Sequence, residues 1–463
     1  MVVRSRENLE RELELWKAQL RDVYGGAALF AERYVDAARH IQITFARTRQ
    51  GAARVFPPVD GSLQLKDRKL VEICPAPNLS SALVARMNGY VQLLAEKSGY
   101  IGVGSVDFLC DGEQVYLLGG SPRLPASFRM VEEIQGESLV RWQLAAAGIL
   151  EEESVRKTSA GPSRFAGGVC ARIYAEDALL ELPRPGKVLE LSPERVWEFP
   201  RSRAEWWCGV SEGGSVGFDE DGLVGVFLAW GADTKAAIHT AARFVGKKES
   251  PLWIAGTLQT NERYLGELLD HPWVREGYIH ASFIEEEFIP TSEPSLEEIR
   301  IVGRMVAHLL QKEFRGEWVL QERLKIRAVE EKGWHWKDLA VGPGLSGWLV
   351  GPLKENWRVS GFELSEGVWQ LRFGATFLLL RKALPGASDG SRKLRSLVSG
   401  RVAALRYQEG VRVPAGEALI WVRSERRAIP HALGKDVEIL RWHVRPDQDV
   451  FLGDLLADLR LSP

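Results

Sequence analysis

Near the start of the chain apolar residues recur at helical spacing. Leu9, Leu13, Trp16, Leu20 and Val23 share one face of an amphipathic helix over residues 7–24, and Gly25-Gly26 supplies its stop. From residue 29 to 129 the pattern changes to short apolar runs broken by polar turns. LFAERYVD, HIQITFAR, GVGSVDFLC and EQVYLLGG read as strands, and SSALVARMNGYVQLLAEKSGY reads as a helix behind a Ser N-cap. ESLVRWQLAAAGI predicts another helix, and the polar, Gly- and Pro-bearing residues 151–164 a loop. Short strands and helices continue to about residue 288. Ser295 and Glu298 then form a Ser-x-x-Glu capping box that opens a long helix, EEIRIVGRMVAHLLQKEF. The short alternating runs and Gly-rich turns after it predict a small antiparallel barrel, and PGASDGSR at 385–392 a linker.

The last block contains an internal repeat. Tyr407-Gln-Glu-Gly-Val-Arg-Val-Pro-Ala-Gly-Glu-Ala-Leu-Ile420 parallels His443-Val-Arg-Pro-Asp-Gln-Asp-Val-Phe-Leu-Gly-Asp-Leu-Leu456. Two such strand–turn–strand units build a flattened barrel with quasi two-fold symmetry.

Composition narrows the function classes. A chain of 463 residues, 45% hydrophobic, can bury several cores, with about three domains as the prior. Its 60 Lys and Arg against 62 Asp and Glu give no global field, so charge supports neither nucleic acid nor a membrane surface as partner. No apolar run reaches bilayer length and the first residues lack a signal-peptide core, so a cytoplasmic protein is expected. Cys74, Cys110, Cys170 and Cys208 form no CxxC and read as free thiols, and the eight histidines include no HxH or HExxH pair, so no metal site is expected from spacing. Tryptophan is over-used, at 16 residues. Trp318, Trp334, Trp336, Trp348, Trp357 and Trp369 fall in one stretch, as core of a small β domain or as a partner-binding surface.

Three stretches resemble the α subunit of biotin-dependent acyl-CoA carboxylases, in order and spacing. Glu32-Arg-Tyr-Val-Asp-Ala-Ala-Arg-His40, followed by Ile41-Gln-Ile, is similar to EKYLExxRHVEIQ of biotin carboxylase, an ATP-grasp enzyme in which the first Glu and its neighbour frame the adenine. Lys69-Leu-Val-Glu-Ile-Cys-Pro-Ala-Pro77 resembles KVVEEAPAP. Ala171-Arg-Ile-Tyr-Ala-Glu-Asp177 with Leu182-Pro-Arg-Pro-Gly-Lys187 resembles CRINAEDP with LPSPGK. The resemblance implies an α+β chain in three parts. Residues 1–290 would be a partial ATP-grasp biotin carboxylase-like region, 291–385 a helix-in-β-barrel linking domain, and 391–463 a flattened biotinyl/lipoyl-like barrel. On this resemblance the given sequence would begin partway through the ATP-grasp lid, without a counterpart of the glycine-rich phosphate loop.

Departures from the family pattern carry equal weight. The acidic strand VDFLFD…YFLEMNTRLQVEH supplies the family's metal ligands and catalytic arginine. Here Asp107 keeps the first acid and Arg123 the arginine, but the second acid has become Gly119, the metal-contacting Asn has become Ser121, and Gln-Val-Glu has become Pro125-Ala126-Ser127. Glycine offers no oxygen to a hard cation, and a serine hydroxyl cannot take the bicarbonate proton as a carboxylate does, a step worth about 10²–10⁴ in rate. In the terminal barrel Arg426 stands where the family's EAMKM carries the biotinylated lysine, and a guanidinium does not acylate where an amine does. The nearest lysine, Lys435, lies beyond the hairpin.

The expectation is therefore that biotin and Mg-ATP are both lost. Glu32, Arg33, His40, Lys69 and Asp107 are left as a residual nucleotide or anion site or as relics on a solvated cleft wall. The implied partners are a carboxyltransferase β subunit and, beside it, an intact biotin-carrying α subunit. The expected function is a non-catalytic structural or regulatory subunit of an acyl-CoA carboxylase assembly; alternatives are one half of a split carboxylase and a free-standing binding module.

Overall fold

A computed structural model describes residues 9, 10, 13, 14, 17 and 21, then 29–461 apart from 66–67, 158–162, 219–220, 248–249, 292–294, 296, 303–317, 321–323, 327–334, 342–343, 351–355, 366–367, 383–390 and 425–426. Several side chains between 318 and 391 lie outside the description as well. The described residues of the expected N-terminal helix are helical.

Nine strands form the first sheet: β1 Arg39–Arg47, β2 Arg54–Leu65, β3 Arg68–Cys74, β4 Gly102–Asp111, β5 Gln114–Ser121, β6 Gly167–Tyr174, β7 Arg195–Glu198, β8 Ser202–Cys208 and β9 Leu223–Gly231. Their order is β7-β8-β9-β6-β3-β2-β1-β4-β5. Every neighbour pair is antiparallel. The central strands are buried on both faces, which explains their continuous apolar runs. One face is covered by the helix Ser81–Lys97, whose N-cap Ser80 accepts from the Leu83 amide. Leu83, Met87, Val91 and Ala95 recur every fourth residue and pack with Ile41, Ile43 and Phe108. Each such large apolar side chain contributes about 1.5–3 kcal/mol on burial.

Two expectations fail here. Residues 29–35 are not a strand: they run as irregular chain, with Tyr34 Oη 3.1 Å from Ser282 Oγ and Arg33 over the Tyr116 ring at 5.2 Å. Both sides of β1 are already paired, by β2 and β4, so no ladder position was left beside it. The loop expected over 151–164 contains a short helix, Glu152–Lys157, with Glu152 and Glu153 in its first turn and a Glu152–Arg156 pair at 2.7 Å.

The capping box is present. Glu298 N donates to Ser295 Oγ at 3.2 Å, and Ser295 N donates to Glu298 Oε2 at 2.6 Å. The helix runs through Val302, and its continuation lies outside the described residues. Beyond it a seven-stranded antiparallel sheet follows the order Leu324–Ile326, Trp318–Leu320, Thr376–Lys382, Val368–Phe373, Asn356–Ser365, Gly344–Val350, His335–Val341. This sheet is seated on the first region through buried polar side chains. Arg372 pairs with Glu262 at 3.0 Å, their side chains 2% and 0% exposed. Arg372 and Arg358 each stand 4.3 Å from the centroid of the Trp253 ring.

The last region is two four-stranded sheets, Ser391–Arg395, Leu455–Leu461, Val437–Trp442, Arg412–Val413 and Arg427–Ala432, Ala418–Ser424, Gly400–Leu405, Asp449–Val450. The two orders are equivalent when the sequence repeats are exchanged. Each copy lends its short strand to the other, since Val413 pairs with Val437 and Val450 with Gly400. That exchange interlocks the copies around one core containing Val402, Ile420, Val422, Ile439, Leu456 and Leu459.

Candidate functional site

Alternation along β1 puts His40 and Gln42 on one face of the sheet. Gln42 lies directly across from Asp107 on β4, and Gln64 on β2 directly across from Lys69 on β3. Asp107 collects three donors: Lys69 Nζ at 2.9 Å, Gln42 Nε2 at 3.0 Å and His40 Nε2 at 2.8 Å from Oδ1. The other ring nitrogen of His40 is 3.0 Å from Gln64 Oε1. Lys69 reaches β4 by lying over Gly61, where a Cβ would sit 2.9 Å from its Cε. Burial by itself would raise the Asp107 carboxyl. The hydrogen bond from His40 and the charge and hydrogen bond of Lys69 outweigh that and hold it at about 2.

A second buried cluster adjoins the first along β3. Glu72, fully buried, binds Arg172 of β6 through both Nε and Nη2, with Nε–Oε2 at 2.9 Å. Ser127 donates to the other oxygen at 3.1 Å. Burial again pushes the carboxyl up, but the charges of Arg172 and Lys69 and these hydrogen bonds keep it below the usual range. Ser127 stands at the N-terminus of the helix Phe128–Gln135 and spends its hydroxyl on Glu72 rather than on a cap bond.

The chemistry available follows from these pairings. Lys69 and Arg172 are each neutralised by an internal carboxylate. Asp107 pairs across β5 with Gly119, which presents no side chain and around whose Cβ position there is open space. Ser105 likewise pairs with Ser121. A divalent cation bridging phosphates would find one carboxylate here, already engaged by an ammonium, an imidazole and an amide. Gly119, paired with Asp107, offers the cation no second side-chain oxygen. Among the described residues no three of His, Cys, Asp and Glu cluster as metal ligands.

The structure thus brings together His40, Lys69 and Asp107. Glu32, Arg33 and Arg123 remain exposed. Pro125 and Ala126 are half-buried beside Ser127. Of the tryptophans, Trp357 is a correction: it is 7% exposed and packs edge-on against Phe373, so it offers no surface to a partner. Trp369 is half-buried; the side chains of Trp318, Trp336 and Trp348, and Trp334 altogether, lie outside the described residues. In the terminal region Ser424 pairs with Arg427, and Arg426 lies outside the described residues; Lys435 is exposed beyond the second strand. The four cysteines are free.

Sequence reasoning missed Glu72, Arg172, Gln42, Gln64 and Gly61. The first two had a legible signal. Each is a charged residue inside an otherwise apolar strand, RKLVEIC and GGVCARIY, where only a buried partner makes the charge tolerable.

Comparison with known proteins agrees with the geometry in part. Residues 1–152 match the family described as carbamoyl-phosphate synthase L chain, ATP binding domain. The chain is 26% identical over 303 residues to the mitochondrial methylcrotonoyl-CoA carboxylase subunit alpha of Rattus norvegicus, covering 64% of this chain and 41% of that subunit. It is 28% identical over 286 residues to the biotin carboxylase of Halalkalibacterium halodurans, covering 61% of this chain and 60% of the relative. The biotin carboxylase domain of the Hydrogenobacter thermophilus 2-oxoglutarate carboxylase superposes with a TM-score of 0.53 at 22% identity, over 62% of this chain and 61% of that one, a likeness of fold. The chain thus spans less than two thirds of each of these relatives. Together the similarities support a relationship to the biotin-dependent carboxylases through an ATP-grasp biotin carboxylase-like region. Among the described residues no helix is long and apolar enough to cross a membrane.

Proposed function

We propose that this chain is a non-catalytic structural or regulatory subunit of an acyl-CoA carboxylase assembly, binding a carboxyltransferase subunit. One observation carries the reading: Oδ1 of Asp107 is engaged by Lys69, His40 and Gln42, and the residue pairs with Gly119 across the strand pair. Ser127, at the position of the family's base, is tied to Glu72. Groups of one site act as a unit, so surviving Lys69 and Arg123 do not restore the reaction. Arg426 in place of the acceptor lysine supports loss of the biotin half-reaction as well. What remains is association, through residues 292–384.

A second reading has its own support. β5 is an edge strand, and Leu117 and Leu118 on it are 58% and 51% exposed. An apolar edge of that kind suits coverage by another chain, as in a split carboxylase completed by a nucleotide-binding partner. Affinity capture of the tagged full-length protein from its native cell, with mass spectrometry, tests both. The proposal expects a carboxyltransferase-type subunit and no bicarbonate-dependent ATP cleavage by the complex beyond that of any intact α subunit present. Capture of a separate phosphate-loop chain that confers ATP cleavage only when joined to this one would replace it with the split-enzyme reading.

A further inference from the structure

Arg184 is a charged side chain buried between two parts of the molecule. It is 8% exposed, and its backbone is pinned on both sides: Arg184 N donates to Ala175 O at 2.8 Å, and Gln259 N donates to Arg184 O at 3.3 Å. From this fixed base the guanidinium crosses to the terminal two-sheet region, where Nη1 donates to the carbonyl of Leu397. Nη2 faces Asp177 Oδ2 at 3.5 Å, an ion pair that offsets part of the cost of burying the charge. The receiving peptide is itself fixed, because Leu397 N donates to Nε2 of the fully buried His431 at 2.8 Å. Beside these contacts Leu182 packs against the terminal core, and the Arg401 guanidinium lies 6.0 Å from the ring centroid of Phe218 while pairing with Asp449 at 2.7 Å.

The position has a sequence signature. In the stretch Leu182-Pro-Arg-Pro-Gly-Lys187, arginine stands where the similar LPSPGK pattern has serine. A serine hydroxyl ends two bonds from the Cα and does not span the gap to Leu397.

We infer that residues 177–184 form a latch that holds the terminal two-sheet region in one seat on the first region, with Arg184 as its bolt. A carrier domain delivers its cargo by travelling between sites. A domain seated through a desolvated hydrogen bond from an ion-paired guanidinium and an apolar contact acts instead as a fixed surface. The terminal region is then a rigid extension of the first region, and any partner meets both as one body.

Amide relaxation measured by NMR on the full-length protein tests this. In the wild type, strands 400–405 and 418–424 should show the same rotational correlation time as β1 and β4. Arg184→Ser, and separately Leu182→Asp, should shorten it several-fold for the terminal region alone, with chemical-shift dispersion retained in both regions. Arg184→Lys, which keeps the charge and one donor, should fall between. A wild-type terminal region that already tumbles independently overturns the latch without reference to any variant. So does unchanged coupling in folded Arg184→Ser and Leu182→Asp proteins.

Discussion

Replacing Lys69 by Met removes the cation from Asp107 and leaves the rest of the strand in place. In the wild type the carboxyl sits at about 2 against an ordinary 3.8, a difference worth about 2–3 kcal/mol at roughly 1.4 kcal/mol per unit. Burial opposes ionisation here, and the hydrogen bond of His40 with the charge and hydrogen bond of Lys69 overcomes it. Lys69 supplies two of those contributions, and an adjacent opposite charge lowers a carboxyl by about 1–3 units. Lys69→Met should therefore raise Asp107 by at least about one unit, leaving it stabilised by His40 and Gln42. The sign for stability follows: a depressed carboxyl contributes fully above its unfolded value of 3.8 and is lost as pH falls towards about 2. The variant should be less stable than wild type at pH 7 by about 1–2 kcal/mol, with the gap closing on acidification. Carboxyl-carbon NMR titration of Asp107 in both proteins, with thermal melts at pH 7 and pH 3, measures each part. If Asp107 titrates at the same pH with and without Lys69, the internal neutralisation that underlies the proposed loss of the site is wrong.

Three further outcomes are expected. Arg372→Leu leaves the buried Glu262 carboxylate without its cation and should cost about 3–5 kcal/mol, while Arg372→Leu with Glu262→Leu should recover much of it, read from denaturant midpoints. His431, pushed down to about 4 by burial, is neutral in the fold, so the terminal region should keep full stability above pH 6.5 and lose about 3 kcal/mol between pH 6.5 and 4, read by pH-dependent melting. Co-expression with a biotin ligase should leave the protein blank on a streptavidin blot, whereas a band that survives loss of Lys435 and disappears on Arg426→Ala would refute the assignment of Arg426 to the acceptor position.

The sequence alone determined what is local or periodic. Strands over 40–47, 102–110 and 113–120, the helix behind Ser80, and the Ser295–Glu298 box were legible because spacing and caps act within a few residues. The reading of Gly119 and Ser127 as lost acids and of Ser121 as a lost amide comes from the sequence resemblance, and the proposed loss of the site rests on it. Residues 29–36 were misread because alternation marks an extended segment but not whether a neighbouring strand is free to pair with it. The Glu152–Lys157 helix was missed because six residues, mostly polar, carry no apolar stripe. Only the tertiary structure decided that Lys69 crosses Gly61 to reach Asp107, that Glu72 holds Arg172 and Ser127, that Trp357 faces inward, and that Arg184 joins two regions 213 residues apart in sequence at Leu397. Those contacts depend on strand order and on which faces meet, and long-range pairing leaves no period in the chain.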